Sequence, residues 1–145
     1  MEKSRIGFMC VRNAGRSQMA MSFAEEECKI RRITEIELRT GGTNPANEIH
    51  ENVVEVMREV GKELGERIPR KMDDIEIASC DMIVTMGCST LDTSEMGTEV
   101  MVWDLEDPGS VSIEECREIR NDIKTRVQKL FDSIEETGIH GRKGC

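Results

Sequence analysis

Apolar and polar positions along this chain follow two periods, one of strands and one of helices. Ile6-Gly7-Phe8-Met9 is a continuous apolar run of strand length, whereas Ile36-Glu37-Leu38-Arg39-Thr40 alternates with period two. The first predicts a buried strand and the second a half-buried one. Between them, Gln18 to Glu27 has the pattern of a helix. Ile49, Val53, Met57, Val60 and Leu64 recur at helical spacing and predict a second helix along that stretch, with Gly61 and Gly65 marking its frayed end. Pro69 is expected to open a short helical stretch through Ala78. Met82-Ile83-Val84-Thr85-Met86 predicts a second buried strand ending at Gly87-Cys88, and Val100-Met101-Val102-Trp103 predicts the last. Ser112 and Glu115 form a capping box for a final helix whose apolar stripe is Ile113, Cys116, Ile119, Ile123, Val127, Leu130 and Ile134.

Strands alternating with helices give an α/β class. The expected architecture is a single domain, residues 1–137, built on a four-stranded, mostly parallel, doubly wound sheet with helices on both faces. Residues 138–145 carry no packing pattern and are expected to form a mobile tail. Ligands on such sheets bind beyond the carboxyl ends of the strands. Cys10, Cys88 and Asp107 all follow strands and can therefore meet at one edge.

Length and charge narrow the partners. A chain of 145 residues can bury one core without staples. No apolar run approaches the roughly 18 residues that span a bilayer, and the apolar residues after Arg5 are too few for a signal peptide, so a cytoplasmic protein is expected. A net charge of −9 disfavours nucleic acid and anionic membranes as partners and repels anionic substrates at long range. Capture of an anion must then rest on local groups, since salt screens charges beyond roughly 8 Å. The six cysteines are Cys10, Cys28, Cys80, Cys88, Cys116 and Cys145, irregularly spaced and without a Cys-x-x-Cys pair. Neither a disulfide framework nor a metal site is expected. His50 and His140 show no partner pattern and are expected on the surface.

Candidate chemistry concentrates in Cys10-Val11-Arg12-Asn13-Ala14-Gly15-Arg16-Ser17, which follows the first strand and opens the first helix. Backbone amides of such a loop and the positive end of the helix dipole attract an oxyanion. Gly15 allows close backbone approach, and Arg16 can grip two oxygens through its fork of donors. Cys10 lies at the floor of the loop, where the same field favours the thiolate, the nucleophilic form of cysteine. Asn13 suits a left-handed position or can tie the loop with its amide, and Ser17 can donate a hydrogen bond to the Cys10 sulfur. Glu106-Asp107-Pro108-Gly109 follows the fourth strand. Asp107 there is either a turn residue or, taken with the cysteine loop, a proton donor opposite the nucleophile.

Several segments together resemble the low-molecular-weight tyrosine phosphatase superfamily, and within it the thioredoxin-coupled arsenate reductase branch. They are Cys10 to Ser17, Gln18-Met19-Ala20, Thr40-Gly41-Gly42-Thr43, Val84-Thr85-Met86-Gly87-Cys88 and Trp103-Asp104-Leu105-Glu106-Asp107-Pro108. The resemblance covers residues 4 to about 134. It implies strand order 2-1-3-4, Cys10 as nucleophile, Arg16 as transition-state clamp and Asp107 as proton donor. It also implies Val11 to Ser17 as the oxyanion-binding loop and no tightly bound cofactor.

Cys88 separates the branches, because a phosphatase needs one cysteine and a reductase needs a second. The implied reduction runs by attack of Cys10 on arsenic(V) and then of Cys88 on the Cys10 sulfur, leaving a disulfide for thioredoxin or a small thiol to reduce. The bland reading of Cys88 is a buried thiol at a strand end. The chain has no tyrosine, so little is available to stack on a phenol ring, which favours reductase over phosphatase. Trp103 either lines the pocket mouth or caps the core. The resemblance departs at Ser89 to Met96, where thioredoxin-linked members usually carry a third cysteine and this chain has none. Cys80 is a poor substitute: a strand's length puts it about 26 Å from Cys88, against a Cα separation of roughly 7 Å that a disulfide tolerates. Cys145 on the tail is a further candidate. Phosphatase action through a Cys10 phospho-enzyme, and a non-catalytic oxyanion-binding module, remain as alternatives.

Overall fold

The computed structural model of the protein describes residues 3–87 and 98–138. In chain order the elements are β1 (Ser4–Cys10), α1 (Arg16–Ile30), β2 (Ile36–Gly42), α2 (Glu51–Arg58), α3 (Asp74–Ser79), β3 (Met82–Met86), β4 (Glu99–Val102) and α4 (Ile113–Thr137), with a 3-10 turn at Pro108–Ser110 before α4. Among the described residues the strands form one sheet in the order β2-β1-β3-β4, and every pairing is parallel. The expected α/β class and strand order are both present. Parallel pairing puts the ends of all four strands on the same edge, which is what gathers the loops carrying the candidate chemistry.

Period-two alternation divides β1 and β3 between two cores. Ile6, Phe8 and Cys10 join Met82, Val84 and Met86 in the larger one, under α1, α2 and α4. Met9 and Ile83 face the smaller one, with Met72, Ile77 and Cys80 from the α3 side. Both faces of the central strands are therefore covered, as a parallel sheet requires. Trp103 is buried in the larger core, its ring 6.2 Å from that of Phe8. Of its two sequence readings, the core cap is the one found.

Two expectations about helices need correction. The second helix does not run to Leu64. It ends at Arg58, where the Gly61 amide bonds the Arg58 carbonyl and the Lys62 amide bonds the Met57 carbonyl, with Gly61 at φ 79°. This is a Schellman closure, and glycine is the residue that accepts its left-handed step. Val60 consequently falls off the stripe and is exposed, whereas Leu64 is buried from the turn that follows. Pro69 does not open a helix either. Residues 70–72 run beside the end of β2, where the Gly42 amide donates to the Arg70 carbonyl and the Met72 amide to the Gly42 carbonyl, and α3 starts only after Asp73, whose carboxylate caps the Glu76 amide. Gly138 ends α4, and residues 139–145 of the expected tail lie outside the described residues.

Candidate active site

Cys10 is the last residue of β1, 2% exposed, and the loop from Val11 to Gly15 carries the chain to the start of α1. The carbonyls of this loop are used on its outer side. Val11 accepts from the Asn44 amide (2.9 Å), Arg12 from the Ala46 amide (2.9 Å) and Ala14 from the His50 amide (3.0 Å). In a trans peptide the N–H points opposite the C=O, so carbonyls pulled outward turn the following amides, those of Arg12, Asn13 and Gly15, inward. The Asn13 amide accordingly reaches the Cys10 sulfur at 3.2 Å. At the helix start no side chain caps α1. Its first-turn amides have no intrahelical acceptor and add to the same positive field.

The buried Asn13 organises the floor of the loop. Its backbone takes the left-handed conformation (φ 53°), and its amide donates to Ser17 Oγ (2.8 Å) and Thr40 Oγ1 (3.0 Å). Its Oδ1 accepts from the Gln18 amide (3.0 Å) and from the Arg70 backbone N–H (3.0 Å). Both sequence readings of Asn13 hold at once. Thr40 in turn donates a hydrogen bond from its hydroxyl to the Phe8 carbonyl (3.0 Å). Ser17, already accepting from Asn13, lies 3.0 Å from the Cys10 sulfur, so its proton is free to point there. The Cys10 sulfur thus lies within hydrogen-bond distance of two groups, the Asn13 N–H and the Ser17 hydroxyl.

Gly42 explains why the chain ends β2 on two glycines. A Cβ there would stand 2.5 Å from the Val11 carbonyl oxygen and 3.0 Å from that of Cys10. The cysteine loop leans on bare backbone.

Arg16 opens α1 and points its guanidinium along the sheet edge, donating to the Leu105 carbonyl (3.0 Å). It lies against the backbone of Gly87, which has φ +88° and where a Cβ would come within 2.6 Å of Arg16 Nη1. Arg12 is exposed and donates to the Asn44 carbonyl (3.1 Å). Asp107 caps the 3-10 turn by accepting from the Gly109 amide (2.9 Å), and its side chain is about half exposed. Pro108 packs on the cysteine loop, since its Cγ would lie 2.8 Å from a Cβ on Gly15. The Asp-Pro turn thus abuts the loop that follows Cys10.

The model of the low molecular weight phosphotyrosine protein phosphatase family matches residues 5–139 of the chain. The chain belongs to that family. Relatives within it include a Halobacterium salinarum protein provisionally named an arsenate reductase, 50% identical over 132 residues, which are 90% of this chain and 93% of that protein. A solved thioredoxin-dependent arsenate reductase from Corynebacterium glutamicum superposes with a TM-score of 0.76 at 31% identity, covering 94% of this chain and 64% of that one. A solved arsenate reductase in its phosphate binding state has a TM-score of 0.76 at 25% identity, covering 90% of this chain and 98% of that one.

Within this family member, Cys10, Arg16 and Asp107 sit on neighbouring loops at one sheet edge, whereas Cys88 lies outside the described residues. Some contributors to the site carry no signal of their role in the sequence. Gln18 and Thr40 stand there only as parts of motifs, although both hold Asn13. His50, expected on the surface, is instead half-buried against the Asp107 turn, with Nε2 4.0 Å from Asp107 Oδ1. Its contacts span sequence separations that no local pattern encodes. Among the described residues no His, Cys, Asp or Glu cluster could hold a metal, and no helix is long and apolar enough to cross a membrane.

Proposed function

We propose that this chain is an arsenate reductase, with Cys10 as nucleophile and Cys88 as the thiol that resolves it. The observation that carries the reading is the Cys10 sulfur held by Asn13 N–H and Ser17 Oγ at the floor of a loop whose amides turn inward. The thioredoxin-dependent and phosphate-bound relatives support an oxyanion substrate and an external dithiol.

Arsenate enters the loop formed by Val11, Arg12, Asn13, Ala14, Gly15, Arg16 and Ser17, where inward amides and the fork of Arg16 receive its oxygens. The Cys10 thiolate attacks arsenic(V), forming a sulfur–arsenic bond, and the departing oxygen leaves as water with a proton from Asp107. The Cys88 thiolate then attacks the Cys10 sulfur. The electron pair of the sulfur–arsenic bond passes to arsenic, which leaves as arsenite, and the two sulfurs are left as a disulfide. Thioredoxin or a small thiol returns the disulfide to two thiols. No tightly bound cofactor enters these steps.

Family membership favours one second reading, hydrolysis of phosphomonoesters through a Cys10 phospho-enzyme. The absence of any tyrosine in the chain weighs against a site built for phenol rings. Two substitutions separate the readings. Cys10→Ser removes both activities, because a hydroxyl is far less nucleophilic. Cys88→Ser stops arsenate turnover yet leaves p-nitrophenyl phosphate hydrolysis intact, since hydrolysis needs no second sulfur. Normal arsenate reduction by Cys88→Ser would end the reductase mechanism as written.

A further inference from the structure

His50 occupies the junction between the two halves of the site. Its backbone N–H donates to the Ala14 carbonyl in the cysteine loop (3.0 Å). Its ring lies across Gly109, where a Cβ would stand 2.5 Å from Cδ2 and 2.7 Å from Nε2. The same ring edge faces Gly15, with Cδ2 3.4 Å from a Cβ placed there. Nε2 reaches toward Asp107 Oδ1 at 4.0 Å, a separation that one small adjustment or one bridging water closes.

The residue also breaks a local rule. His50 is the N-cap of α2, a position that favours Ser, Thr, Asp or Asn, yet its side chain makes no cap bond. The ring is turned instead to the Asp-Pro turn. Asn52, two residues further, strengthens the same junction by donating to the Pro108 and Val111 carbonyls. A sequence that gives up a helix cap at such a place has another use for the side chain.

We propose that His50 is a positioning residue for Asp107, holding its carboxyl toward the oxyanion loop through a polar contact from Nε2. This rests on the reading of Asp107 as proton donor. Asp107 is half exposed, and among the described residues one hydrogen bond, from the Gly109 amide to Oδ1, ties its carboxylate. Without His50 its side chain is free to swing to solvent, and a misplacement of about 1 Å in a reacting group can cost up to a hundredfold in rate.

The test is a double-mutant cycle on the full chain, read as the rate of thiol loss with arsenate and of nitrophenol release from p-nitrophenyl phosphate. Asp107→Asn should slow the reaction at least on the order of a hundredfold, the usual worth of a general acid. His50→Ala should lower the rate at saturating oxyanion by about tenfold, part of that same contribution, with KM little changed. His50→Phe keeps the ring without its nitrogens and should lose as much, whereas His50→Gln, which retains a donor, should recover most of the rate. His50→Ala combined with Asp107→Asn should be no slower than Asp107→Asn alone. If His50→Phe and His50→Ala run at the parental rate while Asp107→Asn is slow, the proposal for His50 is overturned and the Asp107 reading stands. A further tenfold loss in the double variant also overturns it, because His50 would then act on the fold rather than through Asp107. Parental activity in Asp107→Asn removes the proton-donor reading and this proposal with it.

Discussion

The reactivity of one sulfur among several is set by what surrounds it. Cys10 meets a backbone amide and a hydroxyl, whereas Cys80 and Cys116 sit in apolar cores where burial pushes each thiol up to about 11. Cys28 is shifted the same way, by burial first and then by Glu25 and Glu27. Thiols raised to about 11, as those of Cys80 and Cys116 are, stay almost wholly protonated at neutral pH and react slowly. In the folded protein at pH 7, Cys80 and Cys116 should therefore resist iodoacetamide, and should label only after denaturation, as peptide mapping can follow. Rapid native labelling of Cys80 would reopen it as a redox partner. At this scale the sequence was legible where contacts are local. Asn13 and Ser17 lie within seven residues of Cys10, and the helix start that places them is visible as a pattern. His50 and the Arg70 amide were not legible, because Asp107 and Asn13 lie 57 residues away from them in each case and only the fold brings them together.

Elements position these residues through contacts tight enough to test. The end of β2 supports the cysteine loop through Gly42, so Gly42→Ala should push the Val11 and Cys10 carbonyls off their places. Overpacking of this kind costs about 1–3 kcal/mol. The expected outcome is a lower melting temperature together with a loss of activity larger than the loss of stability alone would give. Unchanged turnover would mean that the loop does not depend on this contact. Strand periods announced the central β1 and β3 because both their faces are buried and their apolar runs are continuous, while the edge strand β2 showed instead as period-two alternation. Helix periods announced α1 and α4 but overran α2. Its apolar stripe continues in sequence through Leu64, while the Schellman turn at Gly61 redirects the chain. Pro69, a common first helical residue, predicts helix at residues 70–72. Backbone pairing with Gly42, a long-range contact, decides otherwise.

The molecule as a whole holds its negative charge by pairing carboxylates with arginines across elements. Arg5 with Arg39 lowers the Glu37 carboxyl, Arg117 with Arg120 lowers Glu59, and Arg58 lowers Glu63, all from an ordinary 4.5. Groups held below their unfolded value stabilise the fold above that value and lose the contribution as pH falls through the folded one. Thermal unfolding should therefore show a plateau above about pH 5 and a falling melting temperature below 4.5. A melting temperature flat down to pH 3 would show that these surface pairs contribute little, as exposed pairs often do. The central claim, that two cysteines of this family member act in sequence on arsenate, is tested most directly by counting thiols. The fully reduced protein, with all six cysteines free, is incubated with arsenate in the absence of any external reductant, titrated, and mapped by peptide mass. The mechanism predicts the loss of two titratable thiols, a Cys10–Cys88 linkage and one arsenite released per chain. Six free thiols after arsenate, with p-nitrophenyl phosphate still hydrolysed, would contradict it and leave the phosphatase reading in its place.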